Sequence, residues 1–323
     1  MKTDVTGITQ RRVATNGIEL NIAEQGPADG PLIILVHGFP ESWYSWRHQF
    51  APLVAAGYHV VAPDMRGYGK SDKPHEIEAY NTVELANDVV GLIPSLGYDD
   101  AIVIGHDWGA MITWRAALDH PDKVKAMGAL SVPFMPRSPV PPMAAMRMIF
   151  KDQFFYQLYF QEPGVAEAEF EADIRTAIKK FLIWGAGETD WNDMPQKSPD
   201  DDMFTGLPNP DTLPDWIGED DLQFYADEFA QSGMRGPLNY YRNQDLTWEM
   251  TKDARQIIDQ PAMFVAGAKD GVIIMAAEAL KAMPQSVTDL RVNELIPGAG
   301  HWTQQEAPEE TNKLILKFLD TLH

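Results

Sequence analysis

The chain has 323 residues, 45% of them apolar and 23% charged, the usage of an ordinary folded protein able to bury a sizeable core without staples. Its formal net charge of -21 sets it against phosphate backbones and anionic membrane surfaces, so neither nucleic acid nor a membrane is an expected partner. With no cysteine, disulfides, thiolate metal sites and cysteine nucleophiles are excluded, and the expected setting is the cytoplasm.

Residues 1–13 carry no apolar signal-peptide core, and the apolar run Leu32–Val36 is too short to cross a bilayer. Residues 17–23 alternate apolar and polar, as a half-exposed strand does. Leu32–Val36 is continuously apolar and ends in His37-Gly38, as a buried parallel strand would. Residues 58–62 and 101–104 read the same way, and residues 83–92 between them carry helical spacing. Strands alternating with helices predict βαβ units and a mostly parallel central sheet with helices on both faces. Ligands of such sheets bind at the carboxyl ends of the strands.

The pattern breaks at a proline-rich linker near Pro133. From Met143 to about Thr247 the chain reads as helical and aromatic, interrupted by an acidic loop over 188–221 that is expected to be solvated surface. Strand patterns return at residues 262–266 and 290–296, and residues 311–322 read as a closing helix. The expected organisation is an α/β core, residues 1–133 and 248–323, split by a helical cap at 134–247.

Four short motifs sit at strand ends. His37-Gly38-Phe39-Pro40 follows the strand at Leu32–Val36 and can offer the Phe39 N–H to an oxyanion. The His37 side chain is expected to be structural. Gly105-His106-Asp107-Trp108-Gly109 lies between a strand and a helix and has the nucleophile-elbow pattern, with Asp107 in the attacking position. The Trp108 N–H, just after the nucleophile, can converge with that of Phe39 on one oxygen. Asp270, after the strand at 262–266, can orient a histidine and stabilise its cation. His301, in Gly298-Ala299-Gly300-His301-Trp302, can swing over the elbow. Each motif alone is weak, but their order of nucleophile, acid and histidine is that of α/β hydrolases.

Other patterns fail. Gly69-Lys70-Ser71 resembles the end of a P-loop, but Asp64 stands where its first glycine belongs. Asp72 likewise replaces the third glycine of a dinucleotide fingerprint. The eight histidines show no metal-ligand spacing, so no metal and no cofactor are expected.

These motifs, with Asp64-Met65-Arg66-Gly67-Tyr68-Gly69-Lys70-Ser71-Asp72 and Gly300-His301-Trp302, resemble those of soluble epoxide hydrolases of the α/β-hydrolase fold. Phe155-Tyr156-Gln157-Leu158-Tyr159-Phe160-Gln161-Glu162-Pro163-Gly164 and Gly236-Pro237-Leu238-Asn239-Tyr240-Tyr241-Arg242-Asn243 extend the resemblance into the cap. It implies that Tyr156 and Tyr241 bind the epoxide oxygen; on residue pattern alone both would be core aromatics, and Tyr240 competes for the second role. It implies the single-hydrolase form of bacteria and plants, without the N-terminal phosphatase domain of mammalian relatives. The implied reaction takes a small hydrophobic epoxide and water to a vicinal diol. Asp107 is the nucleophile, His301 the general base, Asp270 its orienting acid, and Phe39 and Trp108 the oxyanion donors. A homodimer is left open. Two alternatives remain. A haloalkane dehalogenase would share Asp107 and His301, but usually carries Asn at the Phe39 position and a cap Trp in place of the tyrosine pair. A non-catalytic ligand-binding member of the fold would be expected to have lost part of this set. A serine esterase is excluded by Asp107 itself.

Overall fold

The computed structural model describes residues 5–191, 194 and 196–323. Residues 1–4 of the N-terminal run discussed above lie outside the described residues. Eight strands form one sheet: β1 (Thr9–Thr15), β2 (Ile18–Gln25), β3 (Leu32–Val36), β4 (His59–Pro63), β5 (Ala101–His106), β6 (Val124–Leu130), β7 (Ala262–Gly267) and β8 (Leu290–Ile296). Their order is β1-β2-β4-β3-β5-β6-β7-β8. The β1–β2 and β2–β4 pairs are antiparallel, and every other pair is parallel.

Side chains of β3 alternate between the two faces, as the strand period requires. Leu32, Ile34 and Val36 pack with helices Thr82–Ser95 and Trp108–Asp119 on one face. Ile33 and Leu35 join Phe50, Ile315 and Phe318 on the other, where helix Pro308–Asp320 lies. Both faces are therefore covered, which is why the central strands read as unbroken apolar runs. Two strands had no such signal. β1 is an edge strand with five of its seven residues exposed. β6 carries Gly128, where a Cβ would meet Met263 Cε at 2.9 Å, so close packing has replaced a side chain.

Between β6 and β7 the described residues hold helices and no strand. Helix Gln244–Met250 runs past Thr247, so the expected end of the insertion falls inside a helix. The 188–221 segment departs from the expectation of a merely solvated loop. Residues 192, 193 and 195 lie outside the described residues, but Met203, Phe204, Leu207 and Ile217 are buried in the core. Trp191 stacks edge-on against Trp184 with ring centroids 5.6 Å apart. Apolar residues too sparse to make a period still bury themselves against the neighbouring helices. The insertion overlies the carboxyl ends of β3, β5, β7 and β8, where the four motifs converge.

Candidate active site

The elbow after β5 is built by close backbone approach. A Cβ on Gly105 would lie 2.0 Å from Gly109 O, and one on Gly109 would lie 2.0 Å from Val36 O. Only glycine fits either place. Asp107 between them has φ 53° and ψ -117°, a strained conformation for a residue with a side chain. That strain lifts its carboxylate out of the turn, toward the loop after β3.

The carboxylate is held at both oxygens. Phe39 N–H donates to Asp107 Oδ1 at 2.8 Å. His301 Nε2 lies 3.4 Å from Asp107 Oδ2, and His301 Nδ1 lies 3.0 Å from Asp270 Oδ2. Asp270 is itself fixed as the N-cap of helix Gly271–Met275, its Oδ1 accepting from Val272 N at 2.8 Å. The Trp108 N–H opens helix Trp108–Asp119, among the amides that have no acceptor within their own helix. The structure thus brings Phe39, Asp107, Trp108, Asp270 and His301 to one place.

The charges reinforce one another. Burial pulls the His301 pKa down, but the charge of Asp270 and the hydrogen bond to Asp107 outweigh it and hold it well above the ordinary histidine value. Burial pushes Asp107 up, but the hydrogen bond and charge of His301 hold its carboxyl below the usual aspartate range. Each of His301 and Asp107 thus favours the charged form of the other.

In front of Asp107 lies a cavity of about 340 Å³ lined mainly by aromatic and aliphatic side chains, among them Phe154, Phe181, Trp184, Tyr156 and Tyr241. The rings of Tyr156 and Tyr241 meet edge-to-face at 5.9 Å. Gln157 Nε2 donates to the Tyr156 hydroxyl at 2.9 Å, and the Tyr241 ring packs edge-on against Trp108 at 5.0 Å. Burial, with the Asp107 charge adding to it, pushes both hydroxyls far above the usual tyrosine value, so both keep their protons at neutral pH. Tyr240 points elsewhere: its hydroxyl donates to Arg66 O at 2.8 Å. His37 is structural, as expected, with Nδ1 on Gly38 O at 2.9 Å and Nε2 accepting from Met65 N at 3.0 Å.

Residues 31–308 match the family described as alpha/beta hydrolase fold. The chain is 45% identical to epoxide hydrolase A of Mycobacterium tuberculosis, over 97% of this chain and 98% of that protein. Epoxide hydrolase A from Mycobacterium thermoresistibile superposes with a TM-score of 0.92 at 43% identity, covering 97% of this chain and 98% of that one. The bifunctional epoxide hydrolase 2 of Sus scrofa is 39% identical over 94% of this chain, which spans 54% of that protein's length. The chain belongs to the epoxide hydrolases of the α/β-hydrolase fold.

In this epoxide hydrolase several polar residues around the site had no assigned part in the sequence reading. His106 is buried beside Asp107, with Nδ1 2.7 Å from Glu41 Oε2 and Nε2 2.8 Å from the His301 carbonyl oxygen. Glu41 also accepts from Gly38 N at 2.7 Å and from Gln304 Nε2 at 2.9 Å. Ser131 Oγ donates to the same His301 carbonyl at 2.8 Å. His106 stands inside the motif that carries the nucleophile and Glu41 directly follows the oxyanion-loop motif, and that position was their only signal.

Proposed function

We propose that this epoxide hydrolase opens hydrophobic epoxides to vicinal diols through an alkyl ester of Asp107, with residues 134–247 acting as the cap over the reacting groups. The observation that carries the reading is the carboxylate with one oxygen on the Phe39 N–H and the other on His301, facing an apolar cavity lined by two protonated tyrosines. Asp107 Oδ2 attacks an epoxide carbon, and the C–O bond of the ring breaks. A carboxylate suits this displacement because it is ionised at neutral pH and needs no base. Tyr156 and Tyr241 hydrogen-bond the leaving oxygen and give it a proton.

Esterification removes the Asp107 charge. One of the two anions that keep His301 protonated is gone, while its burial remains. The imidazolium then gives up its proton, which replaces through solvent the one lost by the tyrosine. Neutral His301 takes a proton from water as the oxygen attacks Asp107 Cγ, with Asp270 holding the tautomer and stabilising the cation. The N–H groups of Phe39 and Trp108 stabilise the oxyanion on Oδ1. Collapse releases the diol and restores the Asp107 carboxylate beside the His301 cation. The first step thus prepares the base for the second.

The aromatic lining favours small hydrophobic epoxides, with water the only other reactant. No helix among the described residues is long and apolar enough to cross a membrane. The cysteine-free sequence suits work in the cytoplasm.

Styrene oxide and 1-bromobutane, offered separately to the purified enzyme, test the assignment. Diol from the epoxide without bromide from the haloalkane is expected. Bromide release without diol would instead make the site that of a dehalogenase. Tyr156→Phe and Tyr241→Phe should each slow ester formation by about tenfold to a hundredfold, since one donor remains, and the double variant by about a thousandfold or more. Rapid-quench measurement of the ester reads this directly; unchanged rates in the double variant would remove the tyrosines from the mechanism.

A further inference from the structure

The His301 loop rests on the cavity wall as well as on the core. Gly185 ends the helix that supplies Phe181 and Trp184 to the cavity, and residues 186–187 form the turn after it. His301 N–H donates to Gly185 O at 2.8 Å, and Trp302 Nε1 donates to Leu182 O at 2.6 Å. The two segments touch backbone to backbone: a Cβ on Gly300 would lie 2.2 Å from Gly187 N, and one on Gly187 would lie 2.2 Å from Gly298 O.

Glu306 spans this contact. Its Oε2 accepts from both Gly300 N and Gly187 N at 2.8 Å, and its Oε1 accepts from Trp302 N at 2.9 Å. Gly300 and Trp302 flank His301, so one carboxylate grips the chain on both sides of the imidazole and ties it to the wall. Charge-assisted bonds of this kind are stronger than neutral ones, and three on one side chain fix an orientation. The ring they orient has little latitude, because it must serve Asp270 at one nitrogen and a water attacking the ester at the other.

Resting on the reading of His301 as the base, we propose that Glu306 is a positioning residue for the hydrolytic step, clamping the backbone around His301 to the cavity wall. Ester formation does not use His301 as a base and depends less on its ring, because the Phe39 N–H still holds Asp107 by its other oxygen. Water activation is sensitive: a displacement of about 1 Å costs on the order of a hundredfold.

Glu306→Gln keeps the shape but turns one acceptor oxygen into an N–H donor facing backbone N–H groups. Glu306→Asp keeps both acceptors on a shorter stem and serves as a second variant. Single-turnover kinetics with styrene oxide would measure ester formation and ester hydrolysis separately, for each variant beside the wild type. The clamp predicts ester formation within about twofold of wild type and hydrolysis slowed about tenfold to a hundredfold in Glu306→Gln, with Glu306→Asp between. The hydrolysis pH profile should move with it. A merely structural role would slow both steps together; that result, or unchanged hydrolysis in both variants, overturns the clamp alone. A wild type that forms no ester overturns the reading of His301 and the clamp with it.

Discussion

Asp107→Ala is expected to abolish diol formation and to leave no covalent adduct on the protein. No other group takes over the attack. The remaining carboxylate at the site, Asp270, is 1% exposed and spends its oxygens on His301 and on the Val272 N–H. The tyrosines and oxyanion donors survive the change but then have no ester to act on. Loss of a covalent nucleophile from a comparable site costs on the order of a millionfold. Intact-protein mass spectra and diol assays on folded variant would check this, and an adduct elsewhere would reassign the nucleophile.

His301→Gln should separate the two steps. The variant keeps Asp107 and both tyrosines, so one equivalent of substrate is consumed and the protein gains the mass of the epoxide. Release then stalls, because glutamine has no lone pair basic enough to deprotonate water. Steady turnover should fall by about a thousandfold or more while the first-turnover burst remains. pH produces a milder form of the same arrest in the wild type. The Asp107 carboxyl is held below the usual range, so ester formation persists as pH falls. Hydrolysis requires neutral His301, so acid refills the imidazole and slows that step first. Ester should therefore accumulate on the acid side of the profile. A variant that turns over normally would remove His301 from the role of base.

Much of this site was legible because its chemistry depends on local constraint. The elbow requires glycines at fixed offsets after a buried strand, and Gly105 and Gly109 stand where a Cβ would strike neighbouring backbone. Asp270 follows a strand whose apolar run is complete, and His301 follows one with only a looser apolar–polar alternation, so both placements at strand ends could be read from the residue pattern. The tyrosines were different. Tyr240 and Tyr241 are adjacent, both buried and both aromatic, and no periodicity separates the one bonded to Arg66 O from the one facing Asp107. Only the family resemblance favoured Tyr241. Glu306 was silent for another reason. Its three partners are backbone amides, two within six residues and one in the distant insertion, and backbone groups leave no mark in a residue pattern. The buried part of the 188–221 segment was missed because its apolar residues follow no regular spacing. Edge strand β1 was missed because most of its side chains face solvent.

A single turnover in water enriched in oxygen-18, with enzyme in excess over styrene oxide, tests the ester most directly. If Asp107 is alkylated and water then attacks Cγ, the first diol carries an unlabelled oxygen taken from the carboxylate, and the label appears in the peptide containing Asp107. Label in the first diol with none in that peptide would mean that water attacks the epoxide itself, and the covalent route through Asp107 would be wrong.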